Sequence, residues 1–380
     1  MPFAYVDLDL FDANVRELAA RADGRPIRLG SKSMRCTGLM RRVLDASPQY
    51  QGILAFSVRE AVFLAGEGFD DILVAYPAVS EVAPSGLCAA LAEGTRITLM
   101  VDCPAHVDHL EPVGASTGVT IPVCLDIDMA SRFPGIHFGV RRSPIVTPEQ
   151  ALDLYAHIGR CEHVRLDGVM GYEAQLAGLP DRPPGTPWKN RLVRALKKRS
   201  GPEVRARRVA IVEALREAGA DLRLVNGGGT GSLEYTAQDP SVTELTVGSG
   251  FYSPALFDHY AQFRHHPAVG YAIEVVRVAE PNVYTCQGGG YVASGGAGPD
   301  KQPRPYLPAG AALIAQEGAG EVQTPVVCDG PETLEIGAPV FMRHAKSGEL
   351  CEHFETLLCV SDGKVVDEIP TYRGQGQCFL

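Results

Sequence analysis

RLVNGGGTGSLEY (223–235) and TELTVGSGFYSPALF (243–257) decide how this chain is read. Each opens on a short apolar run, ends it in a glycine-rich turn, and continues into residues able to start a helix. Glycine has no Cβ, so backbone amides in such a turn can approach an anion closely, and a helix start adds positive potential. Neither turn is an ATP-type phosphate loop, because GGGTGS lacks that motif's lysine. Six more apolar runs precede these two: IRLGSK (27–32), GILAFS (52–57), DILVAY (71–76), RITLMVD (96–102), PVCLDID (122–128) and RLDGVMGYE (165–173). Helical periodicity separates most of them, as in VREAVFLAGEGF (58–69), TPEQALDLYAHIGRC (147–161) and the pair 190–200 and 204–220. Strands buried on both faces that alternate with helices pair in parallel. Eight such units within roughly 250 residues predict a (β/α)8 barrel, with a doubly wound sheet as the alternative.

Past residue 265 the helical periodicity stops. YAIEVVRVAE, PVVCDG, TLEIGAPVFMRHA and LLCVSDGKVVDEIPTYRG alternate or run apolar between Gly, Pro and Asp, which predicts a mostly antiparallel β domain. The expected division is residues 1–265 for the barrel and 266–380 for the β domain. QGGGYVASGGAGPDK (287–301) is too rich in glycine to pack on its own and is expected to be mobile.

The net charge of −10, with no run of five like charges, disfavours nucleic acid and anionic membranes, which need concentrated basic patches. The amino terminus does not read as a signal peptide, and no stretch of roughly 18 apolar residues is long enough to span a bilayer. Ten cysteines without a CxxC pair read as reduced thiols of a cytoplasmic protein.

In a barrel, residues at the carboxyl ends of strands face the site. Lys32 closes the first strand there, where partial desolvation and nearby charge can fit an amine to attack an aldehyde. The glycine turns follow strands seven and eight, where barrels often bind phosphate. Asp126 and Asp128 share one face of a strand and are expected to form a salt bridge or loop cap at the rim.

A strand-one lysine facing two phosphate turns is the layout of a pyridoxal-phosphate (PLP) barrel. The chain resembles fold-type III PLP enzymes, more narrowly the D-threonine aldolase and D-serine dehydratase group within the alanine-racemase-like proteins. The resemblance runs over nearly the whole length, through Lys32, HFGVRRSP (137–144), VMGYEAQLAG (169–178), VNGGGTGS, VGSGFY and RHAKSGEL (343–350). It implies that Lys32 carries the cofactor as a Schiff base. It also implies that Gly228, Gly229, Thr230, Gly248, Ser249 and Gly250 contact the phosphate. His137 falls where the family often has an arginine near the ring, and Tyr172 is placed to stack on or hydrogen-bond the ring.

Members of the group commonly hold a divalent metal with a histidine and, two residues on, a Cys or Asp. Here His344 is followed by Lys346, and a protonated amine has no lone pair for a metal. Three readings follow: His344 pairs with Cys351 or His353 as metal ligands, Lys346 replaces the metal's charge, or His344 acts alone as a base. The activity implied is retro-aldol cleavage of D-configured β-hydroxy-α-amino acids to an amino acid and an aldehyde. The alternatives on the same scaffold are a D-serine dehydratase-type deaminase, an amino-acid racemase, and a non-catalytic PLP-binding protein. The resemblance further implies a head-to-tail homodimer with shared active sites.

Overall fold

A computed structural model describes residues 1–82, 86–296 and 298–379. After strand β1 (Phe3–Asp7), eight parallel strands close into a barrel. They are β2 (Ile27–Gly30), β3 (Tyr50–Ala55), β4 (Ile72–Val74), β5 (Ile97–Val101), β6 (Ile121–Asp126), β9 (Val164–Gly171), β10 (Leu224–Gly227) and β11 (Glu244–Val247), with the short hairpin β7 (Ser131–Phe133) and β8 (Ile136–Phe138) inserted after β6. Each coincides with a predicted apolar run. The reason is visible in β2, β5 and β6, whose every residue is buried. The barrel closes through β11 and β2, with Leu245 opposite Ile27.

The floor of the barrel is ionic. Arg28, fully buried on β2, donates to Glu244 Oε1 of β11 at 2.6 Å and to Asp71 Oδ2 at 3.1 Å. Arg223 bridges Asp71 and Asp167 beside it. The guanidinium of Arg28 would lie 2.5 Å from any Cβ at position 52, which is why Gly52 stands there with φ +64°. These pairs seal the amino-terminal end of the barrel, so the strands' carboxyl ends are left to carry chemistry.

Helix Pro187–Glu217 runs unbroken through Pro202, where the sequence suggests two helices. Tertiary contacts override the proline: buried Ser200 meets Ser131 Oγ at 2.7 Å and accepts from Gln175 at 2.9 Å. No helix among the described residues is long and apolar enough to cross a membrane.

The second unit is a mostly antiparallel sheet built on β12 (Val269–Glu280). Its further strands are β13 (Val283–Gln287), β14 (Arg304–Leu307), β15 (Ala311–Leu313), β16 (Gln323–Cys328), β17 (Pro339–Arg343), β18 (Thr356–Ser361) and β19 (Lys364–Pro370). Strand β1 belongs here as well, antiparallel to β12 and parallel to β18, so residues 3–7 fall on the sheet's side of the division drawn at residue 265. The glycine-rich loop 287–301, with Ala297 outside the described residues, is anchored rather than loose. Tyr271 donates to Gly289 O at 2.7 Å, and the Tyr291 ring stacks on His353 with centroids 4.3 Å apart.

Candidate active site

A cavity of about 1120 Å³ opens at the carboxyl ends of the barrel strands and is roofed by the second unit. Ligand clefts are commonly ~300–1,000 Å³, so a cofactor and a small substrate fit together. Lys32, Tyr172, Gly228, Gly229, Thr230, Gly248, Ser249 and His353 all line it. Lys32 is solvent-exposed on the short turn after β2, with its Nζ 3.5 Å from the hydroxyl of Tyr76, the residue that ends DILVAY.

The two glycine turns lie side by side, tied by the bond from Gly250 N to Thr230 Oγ1 at 3.0 Å. A Cβ on Gly229 would sit 2.8 Å from Ala177 Cβ, and one on Gly248 would sit 2.7 Å from Ser33 Oγ. Neighbouring side chains thus leave no room for a Cβ at either position. Gly250 is a correction: it is buried, its amide is spent on Thr230, and it does not line the cavity. Beneath the first turn, the buried carboxylate of Glu173 accepts from Gly228 N at 3.3 Å and from Ser232 Oγ at 3.1 Å. Glu173 is itself held by Arg208, which also binds Asp239.

His137 is the second correction. It sits on β8 opposite Arg132 and does not line the cavity. Arg142, five residues on, does line it. After the hairpin the chain bends at Gly139 (φ +141°), where a Cβ would collide with Ala130 at 2.7 Å. The chain then delivers Arg142 across the opening, with its guanidinium 5.2 Å from the Tyr76 ring centre and 5.9 Å from that of Tyr172. Asp126 anchors it at 2.5 Å, and Asp128 caps the following turn by accepting from Ala130 N at 2.8 Å, as expected of that pair. The signal was present in HFGVRRSP; the arginine lay further along the same motif than the histidine.

Burial raises the Asp126 carboxyl to about 6 despite Arg142, and burial raises the Tyr172 phenol to about 12. The folded value of Asp126 lies above the ordinary 3.8, so its contribution to stability is full below that value and is lost as pH rises through about 6. The effect on the site runs the other way, because protonation weakens the tether on Arg142. Activity should therefore fall off below about pH 6, and Asp126→Asn should remove that acid limb while lowering the plateau roughly 10-fold. A pH–rate profile of both proteins checks this, and an unmoved limb in the variant contradicts it.

The roof brings a third correction. Lys346, Ser347, Glu349, Glu352 and His353 line the cavity, but His344 does not. His344 is buried edge-on to the Tyr252 ring, and both its ring nitrogens lack partners. Burial depresses it to about 3, so it is a neutral imidazole behind the wall rather than a base reaching substrate.

An orphaned imidazole invites a metal, but the donor set does not support one. Lys346 occupies the second ligand position and donates to Ser294 O at 2.6 Å. Cys351 is buried outside the cavity, with burial holding its thiol protonated, and His353 is stacked on Tyr291. Among the described residues, the one group of three metal-type donors is Asp102, Cys103 and His106, beyond the end of β5. PLP, in contrast, fits what is present. An exposed amine, hydroxyls at Thr230 and Ser249, glycine turns with no room for side chains and a tethered arginine suit an aldehyde, a phosphate and an aromatic ring.

Comparison with known proteins agrees with this geometry. Residues 6–254 match the family model described as alanine racemase, N-terminal domain. A D-threonine aldolase from Arthrobacter sp is 26% identical over 250 residues, covering 65% of this chain and 60% of that protein. Among solved structures, a D-threonine aldolase from Filomicrobium marinum superposes with a TM-score of 0.81 at 19% identity, covering 98% of this chain and 95% of that one. The D-threo-3-hydroxyaspartate dehydratase from Delftia sp. HT23 superposes with a TM-score of 0.76 at 20% identity, covering 98% and 97%. With a barrel, a lysine and paired glycine turns arranged in this way, the chain belongs to the alanine racemase N-terminal domain family of fold-type III PLP proteins.

Proposed function

We propose that this protein is a PLP-dependent lyase that cleaves D-configured β-hydroxy-α-amino acids into an amino acid and an aldehyde. The observation that supports this reading most is the meeting, in one cavity, of Lys32, the two glycine turns and Arg142 from the barrel with Lys346 from the roof. When bound, PLP supplies an aldehyde for the substrate's amino group and a ring that withdraws electrons from Cα.

The chain's own part is to bind, orient and screen. Lys32 Nζ holds the cofactor between turnovers and is free to exchange protons near Cα once the substrate amine has displaced it. Thr230, Ser249 and the backbone of Gly229 and Gly248 would hold the phosphate group of the cofactor. Arg142, held by Asp126, would offer the cofactor a permanent cation in the cavity. In the cleavage the β-hydroxyl passes its proton to the freed amine of Lys32 and its oxygen becomes the aldehyde carbonyl. The Cα–Cβ electron pair is left on the amino-acid fragment, which takes a proton at Cα, so threonine gives glycine and acetaldehyde.

Arg142→Ala should lower kcat/KM by roughly 10²-fold through lost electrostatic stabilisation, with Arg142→Lys recovering only part of it. Steady-state kinetics on D-threonine read both. The reading as a whole is tested by incubating the PLP-loaded protein with D-threonine, L-threonine and D-serine. Glycine plus aldehyde from the D-substrate supports it. Keto acid plus ammonia would make the protein a dehydratase, inversion alone a racemase, and no turnover a PLP carrier.

A further inference from the structure

The roof segment that carries Lys346 is fixed directly onto the lysine turn of the barrel. Gly348 has φ +92°, and a Cβ there would lie 1.9 Å from the carbonyl oxygen of Lys32. Ala255 N and Leu256 N donate to the carbonyls of His344 and Ala345 at 3.0 and 3.1 Å. Ser347 Oγ reaches Ser249 O at 3.4 Å, so the segment also touches the second glycine turn. Pinned at both ends, it presents Lys346 to the cavity that Lys32 enters from below. One of the three N–H donors of Lys346 goes to Ser294 O at 2.6 Å, and the others remain for a ligand.

We infer that Lys346, rather than a metal ion, receives the β-oxygen of the substrate. The inference rests on the proposed function and deepens it. Among the described residues no group of three His, Cys, Asp or Glu donors gathers around His344, the residue two positions on is Lys346, bonded to Ser294 O, and Cys351 does not line the cavity. A cation at the end of a flexible stem supplies what the β-oxygen needs, which is positive charge and an N–H donor, without a coordination shell. The neighbouring charges are mixed: burial, then Lys301 and Lys32, pull the Lys346 ammonium below its usual range, while Glu349 and Asp300 oppose them. Glu349 lines the same wall and accepts from Ser294 N at 2.8 Å, which fixes the loop whose carbonyl steers Lys346. Lys301 lies near the mouth, bonded to Asp300, so the roof carries more than one amine without leaving all of them uncompensated.

The test uses the full-length, PLP-loaded protein. Bound metal is measured by plasma mass spectrometry before and after dialysis against EDTA. Binding of D-serine, D-threonine and D-alanine is followed through the cofactor's visible absorption, in wild type and in Lys346→Met. The account expects under ~0.1 ion per chain and no effect of EDTA. It also expects a preference for D-serine over D-alanine of roughly 10-fold or more, the scale of a hydrogen bond to a charged group. In Lys346→Met that preference should shrink to about 2-fold or less while D-alanine binds as before, a pattern that general damage does not produce. If Lys346→Met loses its cofactor, Lys346→Leu, which also lacks an N–H donor, is read in the same way.

One ion per chain whose removal abolishes the preference overturns the inference, as does a Lys346→Met protein that keeps the preference. Either result leaves the proposed function standing. A wild-type protein whose absorption responds to no β-hydroxy amino acid overturns the proposed function, and this inference with it.

Discussion

Lys32→Ala is expected to abolish turnover of D-threonine, with kcat falling by at least ~10³-fold, the scale at which removal of a covalent group is felt. Lys32 has an amine that is exposed in the cavity rather than tied into an ion pair, with only a long contact to Tyr76. The other amine of the cavity, Lys346, is bonded to the roof loop and does not substitute for it. Arg142 and Arg35 are already engaged, with Asp126 and with Glu352. The loss should therefore be one of chemistry and not of fold. Gly348 packs on the backbone carbonyl of Lys32 and Arg35 donates to the same oxygen, contacts that alanine retains. Kinetics alongside a denaturation curve check both halves; a variant with more than about a tenth of wild-type turnover removes Lys32 from the mechanism.

Arg208→Ala is expected to carry the largest cost in stability, about 3–5 kcal/mol. Arg208, Glu173 and Asp239 are completely buried, with ion-pair distances of 2.7 and 2.6 Å. Removal of the guanidinium leaves two carboxylates without a cation in an apolar interior, and it releases the carbonyl of Gly171 at the end of β9. Because the Gly228–Ser232 turn hangs from Glu173, cofactor retention should weaken in the same variant. The exposed pair Arg42–Asp12 provides the contrast, as Arg42→Ala should cost no more than about 1 kcal/mol. Urea unfolding of the two variants measures the difference, and equal midpoints would mean that the buried cluster does not support the turn.

Much of the architecture was legible because it is written in local polarity. Most barrel strands are short apolar runs buried on both faces, and their turn chemistry follows within a few residues, so Lys32 and the paired glycine turns could be placed from the chain alone. What escaped depends on distant partners. Strand β1 alternates over only five residues and acquires meaning through pairing with β12 and β18, far along the chain. Pro202 reads as a helix break until Ser200 is seen locked to Ser131 and Gln175.

The site shows the same limit. Arg142 and His137 stand in one motif, and the bend at Gly139 between them separates the one that lines the cavity from the one that does not. His344 and Lys346 are likewise neighbours in sequence, yet β17 ends so that the first is buried and the second faces the cavity. Loop 287–301 is poor in apolar residues, but Tyr291 supplies the contact that holds it to His353. In each case the residue type was informative and the direction of the side chain was not, because direction comes from tertiary packing.

A single amine at the end of β2, that of Lys32, is expected to hold the cofactor. Borohydride reduction of the PLP-loaded protein, followed by proteolysis and mass spectrometry, tests it most directly. The pyridoxyl mass should appear on one peptide, attached at Lys32. Labelling of Lys346 or another lysine instead, or a reduced protein with no pyridoxyl mass at all, would contradict it.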